Sequence, residues 1–431
     1  MGVKLSLMWV LFCLCIEITI VTIIDYFVRK NHFGAIIYIW AGIYIALFFY
    51  LLRWSALISS EIHWMFIYIF VCFTVISVFY TYITKRMRPM PIENNEKIVM
   101  TKSGYFLVPF LTYTYIISYL IENYLGSGTF IPSLQHIDIH TYSAPIILYF
   151  THSQFVVVAA AFYAFKASKK IKYIIYIILV LAIPVLTRYS RMDALIAAIR
   201  IISLLLFVES KNTGISLKEK MKKKFAKRII IIALILAVVG MVALTNARMS
   251  HFGKYDIEYD SSIRFTGPKE LSFFAPYYGY FPLSFENLNV NLSRNVTHNY
   301  IGIYSFTALY FGIFQIDNLL GIPVTGNIQG RIIASTSATV PTGFWDYYYD
   351  FDMLCFIPMI VTFVICYYIL KKAKDEKRKL TFRTLYFWYI PTWFFMSFQN
   401  VMAAPINIVT AIFLIYVIKK SFNVVEEKVT E

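Results

Sequence analysis

Charged side chains are scarce in this chain of 431 residues. Asp, Glu, Lys and Arg make up 15% of the sequence, whereas a typical soluble domain contains about 25%. Hydrophobic residues make up 59%. They are grouped in runs of roughly 17 to 22, the length of helix that crosses the hydrocarbon core of a bilayer. This composition excludes an ordinary soluble globular protein and indicates a membrane protein with several helical spans.

The sequence also lacks the short motifs of several enzyme and transporter classes. It contains no GxSxG, HExxH or P-loop pattern, so nothing favours a hydrolase or an ATPase of those types. The five cysteines lie inside apolar runs, without the spacing of a metal site or a disulfide framework. We find no inverted repeat of the kind that marks many secondary transporters. No metal and no cofactor is predicted.

Basic residues outnumber acidic ones, 40 to 24, which gives a formal net charge of +16. They form short clusters between the apolar runs, at 29–30, 85–88, 166–170, 218–228 and 371–379. Such clusters are typical of the cytoplasmic loops of membrane proteins. We therefore interpret the positive charge as marking the cytoplasmic loops of a membrane protein, and we expect no nucleic-acid partner.

We predict an all-α fold, a polytopic membrane helix bundle of about 11 spans (10–12) with one large extracytoplasmic loop. Residues 1–245 hold about eight spans, 246–351 form the loop, and 352–431 hold about three spans and a short cytoplasmic tail. The basic clusters agree with one another if the N-terminus lies outside. The predicted spans are 5–27, 33–52, 62–82, 104–121, 144–165, 171–187, 192–209, 229–245, 352–370, 382–399 and 402–418.

Segment 299–320 is apolar enough to be a further span. A crossing there would place the basic cluster at 371–379 outside, against the usual distribution of positive charge. We therefore expect an amphipathic or re-entrant helix at the membrane surface.

Several arginines lie where a phosphate group could bind. Arg188 and Arg191 flank a short turn at the outer end of a predicted span, and two guanidinium groups suit phosphate oxygens. Arg248 and Arg264 add cationic groups in the large loop. Arg200 lies deeper, near the bilayer centre, where a buried guanidinium group is costly and a partner carboxylate is expected.

The large loop contains candidate bases and many aromatic residues. Its candidate bases are His251, Asp256 and Asp350. Aromatic rings among acids and amides suit a sugar, although rings of this kind also form interfacial belts. Asp350 and Asp352 spell the DxD pattern of nucleotide-sugar enzymes, but the predicted topology places them outside, where nucleotide sugars are absent. The candidate glycan-binding residues are Tyr277, Tyr278, Asn287, Trp345 and Tyr348.

Three stretches, together with the overall layout, resemble the bacterial oligosaccharide repeat-unit polymerases, the O-antigen and capsule polymerase (Wzy) family. TRYSRMDAL at 187–195 is similar to the Ser-Arg turn before a span, and 274–292 is similar to an aromatic, Asn-Leu-containing stretch of the periplasmic loop. ATVPTGFWDYYYDFD at 338–352 resembles a Thr-rich segment that ends in Tyr-x-Asp-Phe-Gly. Asp352 stands where that family pattern has glycine.

The resemblance implies metal-independent glycosyl transfer on the outer face of a bacterial cytoplasmic (inner) membrane. A growing glycan on polyprenyl pyrophosphate would pass to the non-reducing end of a new lipid-linked repeat unit. His251, Asp256 or Asp350 would accept the proton of the attacking hydroxyl group. Partners would be the polyprenyl-pyrophosphate-linked oligosaccharide, the lipid bilayer, a flippase and a chain-length regulator. The residues expected to bind the pyrophosphate are Arg188, Arg191, Arg248 and Arg264.

Three alternatives to a polymerase are weighed from the sequence. A ligase that moves finished glycan from the same lipid carrier shares the polytopic layout and the large outer loop. A repeat-unit flippase or solute transporter would need paired halves and a charged central path, and the missing repeat counts against it. A purely structural regulator of chain length would need few spans and a coiled coil, and the sequence has no heptad run.

Overall fold

The computed structural model is mostly helical, at 79%, in agreement with the predicted all-α class. Among the residues that the structure describes, four helices are long and apolar enough to cross a membrane: Leu7–Val28, Trp64–Arg86, Lys102–Gln135 and Phe356–Ala373. They indicate a membrane protein, whereas the count of about 11 spans is not confirmed. The structure describes residues 2–32, 34–58, 61–87, 96–135, 145–188, 196–197, 199–204, 264–293, 298, 300–306, 342–375, 379–398, 400 and 405–426.

Fourteen named helices and two strands make up the regular structure of the described residues. The strands are β1 (Glu96–Met100) and β2 (Phe422–Glu426). The helices are α1 (Gly2–Ile23), α2 (Ala35–Ile39), α3 (Ile45–Leu51), α4 (Trp64–Ile83), α5 (Lys102–Ser127), α6 (Pro145–Thr151), α7 (Gln154–Ser168), α8 (Lys172–Arg188), α9 (Ala275–Tyr280), α10 (Pro282–Leu292), α11 (Phe344–Phe351), α12 (Phe356–Ala373), α13 (Lys379–Tyr389) and α14 (Pro405–Ser421).

Short π-helical and 3₁₀ segments extend several of these helices. Residues Ile24–Val28 continue α1, and Trp40–Tyr44 join α2 to α3 as π-helical turns. Asp352–Leu354 and Ile390–Ser397 are 3₁₀ segments, before α12 and after α13 respectively. The chain divides into two compact units. The first contains Met1–Arg88, Lys254–Tyr368 and Ile390–Asn407, and the second contains Pro89–Gly253, Ile369–Tyr389 and Ile408–Glu431.

In the first unit, α4 and α12 run in the same direction. The contacts that show this are Tyr68 with Met353, Phe73 with Phe363, and Tyr80 with Cys366. The number of membrane crossings between these two helices stays a prediction.

Parts of the predicted outer loop 246–351 lie inside this bundle, beside α4. The ring of Phe285 in α10 lies 5.6 Å from that of Phe70, and Phe344 in α11 lies 4.9 Å from Phe73. At 1.5 Å per residue, Phe73 is about 13 Å along α4 from its first residue. The described structure therefore packs part of the predicted loop against α4. The side of the membrane on which this loop lies stays a prediction.

In the second unit, β1 and β2 pair antiparallel, with Ile98 opposite Val424. Helix α7 runs antiparallel to α8, since the Gln154 side chain donates to the carbonyl oxygen of Val180 at 3.0 Å. The predicted span 144–165 is broken into α6 and α7. At the break, the Ser153 hydroxyl donates to the Phe150 carbonyl oxygen at 2.6 Å, a local bond that competes with a continuous helix.

Arg200 is buried in the second unit, but the contact that it makes differs from the expected one. Its guanidinium carbon lies 4.9 Å from the ring centroid of Trp388. Nε and Nη2 have no hydrogen-bond partner in the described part of the chain, and no carboxylate is seen there. The aromatic face therefore takes the place of the predicted acid, in a cation–π contact.

Candidate functional site

Helix α10 is a polar helix whose side chains are nearly all buried. Proline at its first position fits a helix start, where the missing N–H is not needed. Its buried polar residues are Ser284, Glu286, Asn287, Asn289 and Asn291. Burying a polar group costs free energy unless it is hydrogen-bonded. The hydrogen-bond partners of these residues therefore indicate the role of the helix.

The partners of α10 come from the last turn of α3 and from the segment between α3 and α4. The Tyr50 hydroxyl donates to Glu286 Oε2 at 2.8 Å. The His63 N–H donates to Asn289 Oδ1 at 2.8 Å, and the Asn289 amide donates to the Glu61 carbonyl oxygen at 2.9 Å. These bonds fix α10 to the bundle, and we interpret it as an anchor for the insert.

Tyr278, a predicted glycan ligand, is also part of this anchor. Its hydroxyl accepts the Trp54 N–H at 2.8 Å and donates to the Phe49 carbonyl oxygen at 2.9 Å. Burial raises the pKa of the Tyr278 hydroxyl, so it stays neutral. Tyr278 and Asn287 are fully buried, and both hydrogen bonds of the Tyr278 hydroxyl are to the backbone. Their predicted contact with a glycan stays a prediction.

Helix α11 lies in the same unit and is built differently. It begins after Gly343, whose N–H donates to the Met396 carbonyl oxygen at 2.8 Å. A Cβ atom added to Gly343 would lie 2.8 Å from the backbone nitrogen of Asn400 and 2.9 Å from Met396 Sδ. This position therefore requires glycine, and the close approach brings residue 400 against the start of the helix.

Three buried polar side chains around the start of α11 leave hydrogen-bonding atoms without partners. They are Thr342 Oγ1, Trp345 Nε1, and both amide atoms of Asn400, none of which has a hydrogen-bond partner among the described residues. All three residues are buried. We call this set the polar cradle. Because nearly all buried polar groups in proteins are hydrogen-bonded, the polar cradle is a candidate binding site for a ligand rich in hydroxyl groups.

At the other end of α11, Asp350 supports a turn. Its carboxylate accepts the backbone N–H groups of Tyr304 at 3.0 Å and Ser305 at 2.5 Å. Its carbonyl oxygen accepts the Tyr300 N–H at 2.8 Å. Asp350 is fully buried, and a base needs access to the substrate hydroxyl. The geometry therefore favours a structural role for Asp350 over its predicted role as the base.

His298 contacts the same end of the helix. Its Nδ1 lies 3.1 Å from each of the carbonyl oxygens of Tyr348 and Tyr349. Its Nε2 lies 3.8 Å from Asp352 Oδ1, and the side chains of His298 and Asp352 are 12% and 34% exposed. We call these two residues the histidine corner. His298 and Asp352 were not among the candidate site residues predicted from the sequence, because the local sequence around each residue does not show that the two are close.

Asp352 has a backbone conformation that normally requires glycine. Its φ is 49° and its ψ is −125°, a region in which a side chain is strained. The tight turn is thus formed here with an aspartate.

The other predicted site residues are not gathered around α11 by the described structure. Arg264 is exposed, has a φ of 48°, and its carbonyl oxygen accepts the Ala56 N–H at 3.0 Å beside the Ser55–Phe265 bridge. The side chains of Arg188, at the end of α8, and Tyr277, in α9, lie outside the description. Also outside the described residues are Arg191, Arg248, His251 and Asp256.

Helix α11 nevertheless brings three predicted residues together. Trp345 and Tyr348 are ring neighbours with centroids 5.8 Å apart, and Asp350 follows them on the same helix. Comparison with protein-family models, with curated proteins and with solved structures finds no match for this chain. Inference about function therefore depends on the sequence and on the chemistry around α11.

Proposed function

We propose that this protein polymerises polyprenyl-pyrophosphate-linked oligosaccharide repeat units into a surface polysaccharide, by metal-independent glycosyl transfer on the outer face of a bacterial inner membrane. The observation that carries the proposal is the polar cradle of Thr342, Trp345 and Asn400. It supplies an indole N–H, a hydroxyl and an amide that have no hydrogen-bond partner in the part of the chain that the structure describes, beside the ring of Tyr348. Sugars offer the complementary groups, hydroxyls for hydrogen bonds and C–H faces for rings.

The length of α11 also suits an oligosaccharide better than a single small ligand. Eight residues of α-helix span about 12 Å, and this helix separates the polar cradle from the histidine corner. A glycan held in the cradle could thus extend along the helix to a proton acceptor at its other end. Arg264, exposed in the same unit, could supply positive charge for the pyrophosphate. Arg188, Arg191 and Arg248 are proposed for the same role from the sequence.

The reaction requires little from the protein beyond position and charge. The acceptor hydroxyl oxygen bonds to the anomeric carbon, and the bond from that carbon to the pyrophosphate breaks. The pyrophosphate leaves with the electron pair, which cationic groups stabilise. The acceptor loses its proton to a nearby base.

A strain that lacks the gene tests the proposal directly. Surface glycan separated on a gel should collapse from a ladder of chain lengths to anchors that carry one repeat unit. The gene with Arg191→Ala should fail to restore the ladder, because a neutral side chain cannot stabilise the leaving pyrophosphate. Long chains that accumulate on the lipid carrier would instead identify a ligase. An unchanged ladder would refute both and favour a carrier.

A further inference from the structure

We propose that His298 is the general base that accepts the proton of the acceptor hydroxyl, and that Asp352 stabilises the imidazolium ion that results. This inference rests on the proposed glycosyl transfer and names a proton acceptor other than the three predicted from the sequence. It is carried by the geometry of the histidine corner and, independently, by the backbone conformation of Asp352.

The hydrogen bonds of His298 fix which ring nitrogen is free. Nδ1 faces the carbonyl oxygens of Tyr348 and Tyr349. Carbonyl oxygens only accept hydrogen bonds, so Nδ1 must carry the hydrogen atom. In the neutral ring the lone pair is then on Nε2, the nitrogen that faces the partly exposed Asp352. A neutral imidazole with one nitrogen committed and the other free is suited to accept a proton.

The distance between Nε2 of His298 and the Asp352 carboxylate suits an ion pair with the protonated ring and does not suit a hydrogen bond with the neutral ring. At 3.8 Å, Nε2 and the carboxylate oxygen are too far apart for a direct hydrogen bond, and neither carries a hydrogen atom while the ring is neutral. Once Nε2 takes a proton, the carboxylate and the imidazolium attract each other. Asp352 therefore favours the state that exists after proton transfer.

The backbone of Asp352 gives a second and separate argument. A non-glycine residue at φ 49° and ψ −125° is strained, and glycine would form the same turn without that cost. Strained residues persist where their side chain is needed, most often at functional sites. Here the side chain is needed because its carboxylate stabilises the protonated ring of His298.

The proton transfer can be written with the remaining neighbours in place. The acceptor proton moves to Nε2, the acceptor oxygen bonds to the anomeric carbon, and the pyrophosphate leaves with the electrons of the broken bond. Tyr300 and Tyr348 are the other titratable groups whose rings contact His298. Burial raises the pKa of Tyr348, which keeps it neutral. Asp350 is turned toward the backbone amides of Tyr304 and Ser305.

The test uses the full-length protein in lipid nanodiscs, supplied with lipid-linked repeat units, and follows chain growth as a function of pH. His298→Gln should lower the maximal rate about 100-fold or more with little change in KM. Added imidazole should restore part of the rate in His298→Ala. His63→Gln, a change at a histidine outside the histidine corner, serves as the matched control and should keep the wild-type rate.

Asp352 supplies the second arm, because His298→Gln could also weaken the fold. Asp352→Asn and Asp352→Gly should both lower the maximal rate with little change in KM. Asp352→Gly should in addition raise the midpoint of thermal unfolding. A folded His298→Gln protein at the wild-type rate, or a wild-type maximal rate in both Asp352 variants, would overturn the assignment. A wild-type protein that joins no repeat units would instead refute the proposed function.

Discussion

Helices α10 and α11 come from the same insert and both pack against Phe70 of α4, yet the buried polar groups around them differ. Those of α10 have protein partners, such as Tyr50 for Glu286 and Glu61 for Asn289. The polar cradle at the start of α11 has atoms without a partner among the described residues, and the histidine corner at its other end is partly exposed. We therefore interpret α10 as an anchor and the two ends of α11 as the candidate site.

The largest expected effect is on stability, when a hydrogen bond that anchors α10 is removed. Glu286→Ala leaves the buried Tyr50 hydroxyl without its acceptor, which should cost about 1–3 kcal/mol of unfolding free energy. The midpoint of thermal unfolding of the purified protein measures this. Combining the change with Tyr50→Phe should cost less than the sum of the two single changes, since both remove one bond. Full additivity would show that the bond contributes nothing.

A smaller effect is expected when a buried hydroxyl without a described partner is compared with one that is hydrogen-bonded. Thr342→Val removes an oxygen that has no described partner, so the unfolding midpoint should stay the same or rise, while chain growth should fall about tenfold. Thr74→Val is the matched control, because the Thr74 hydroxyl lies 2.6 Å from that of Tyr44. It should lower stability by about 1 kcal/mol and leave the rate per folded molecule unchanged. Equal behaviour of the two variants would remove the distinction between anchor and site.

The smallest expected effect concerns His63, whose backbone N–H bonds to α10. Its Nδ1 accepts the Met65 N–H at the start of α4, and burial lowers its pKa from 6.5. The folded protein thus prefers the neutral ring. The stability from this cap should be complete above about pH 6.5 and be lost as the pH falls below that value. His63→Asn, a cap that does not titrate, should abolish that part of the pH dependence of the unfolding midpoint.

The sequence predicts best the elements that depend on local composition. The predicted spans 62–82 and 352–370 correspond closely to α4 and α12, because each is one continuous apolar run. Burial of α10 was not predictable in this way. The Glu286 carboxylate is hydrogen-bonded to Tyr50, which is 236 positions away in the sequence. A local sequence pattern cannot predict such a contact.

The candidate site shows the same limit. Aromatic residues at 345 and 348 are close in sequence, and their grouping on one helix was foreseeable. His298 reaches Tyr348 from 50 positions away, so only the fold shows that it is next to Asp352. Burial was equally invisible for Asp350, whose carboxylate looked available in the sequence and is occupied by backbone amides in the structure.

The small sheet of the second unit has a consequence for how the protein is synthesised. The partner of strand β1 is β2, and the Thr101 hydroxyl donates to the carbonyl oxygen of Lys420, 319 positions later. During translation the hydrogen-bonding edge of β1 therefore stays open until Phe422–Glu426 have been made. An open strand edge can pair with other chains. A product that terminates before Phe422 would keep that edge permanently.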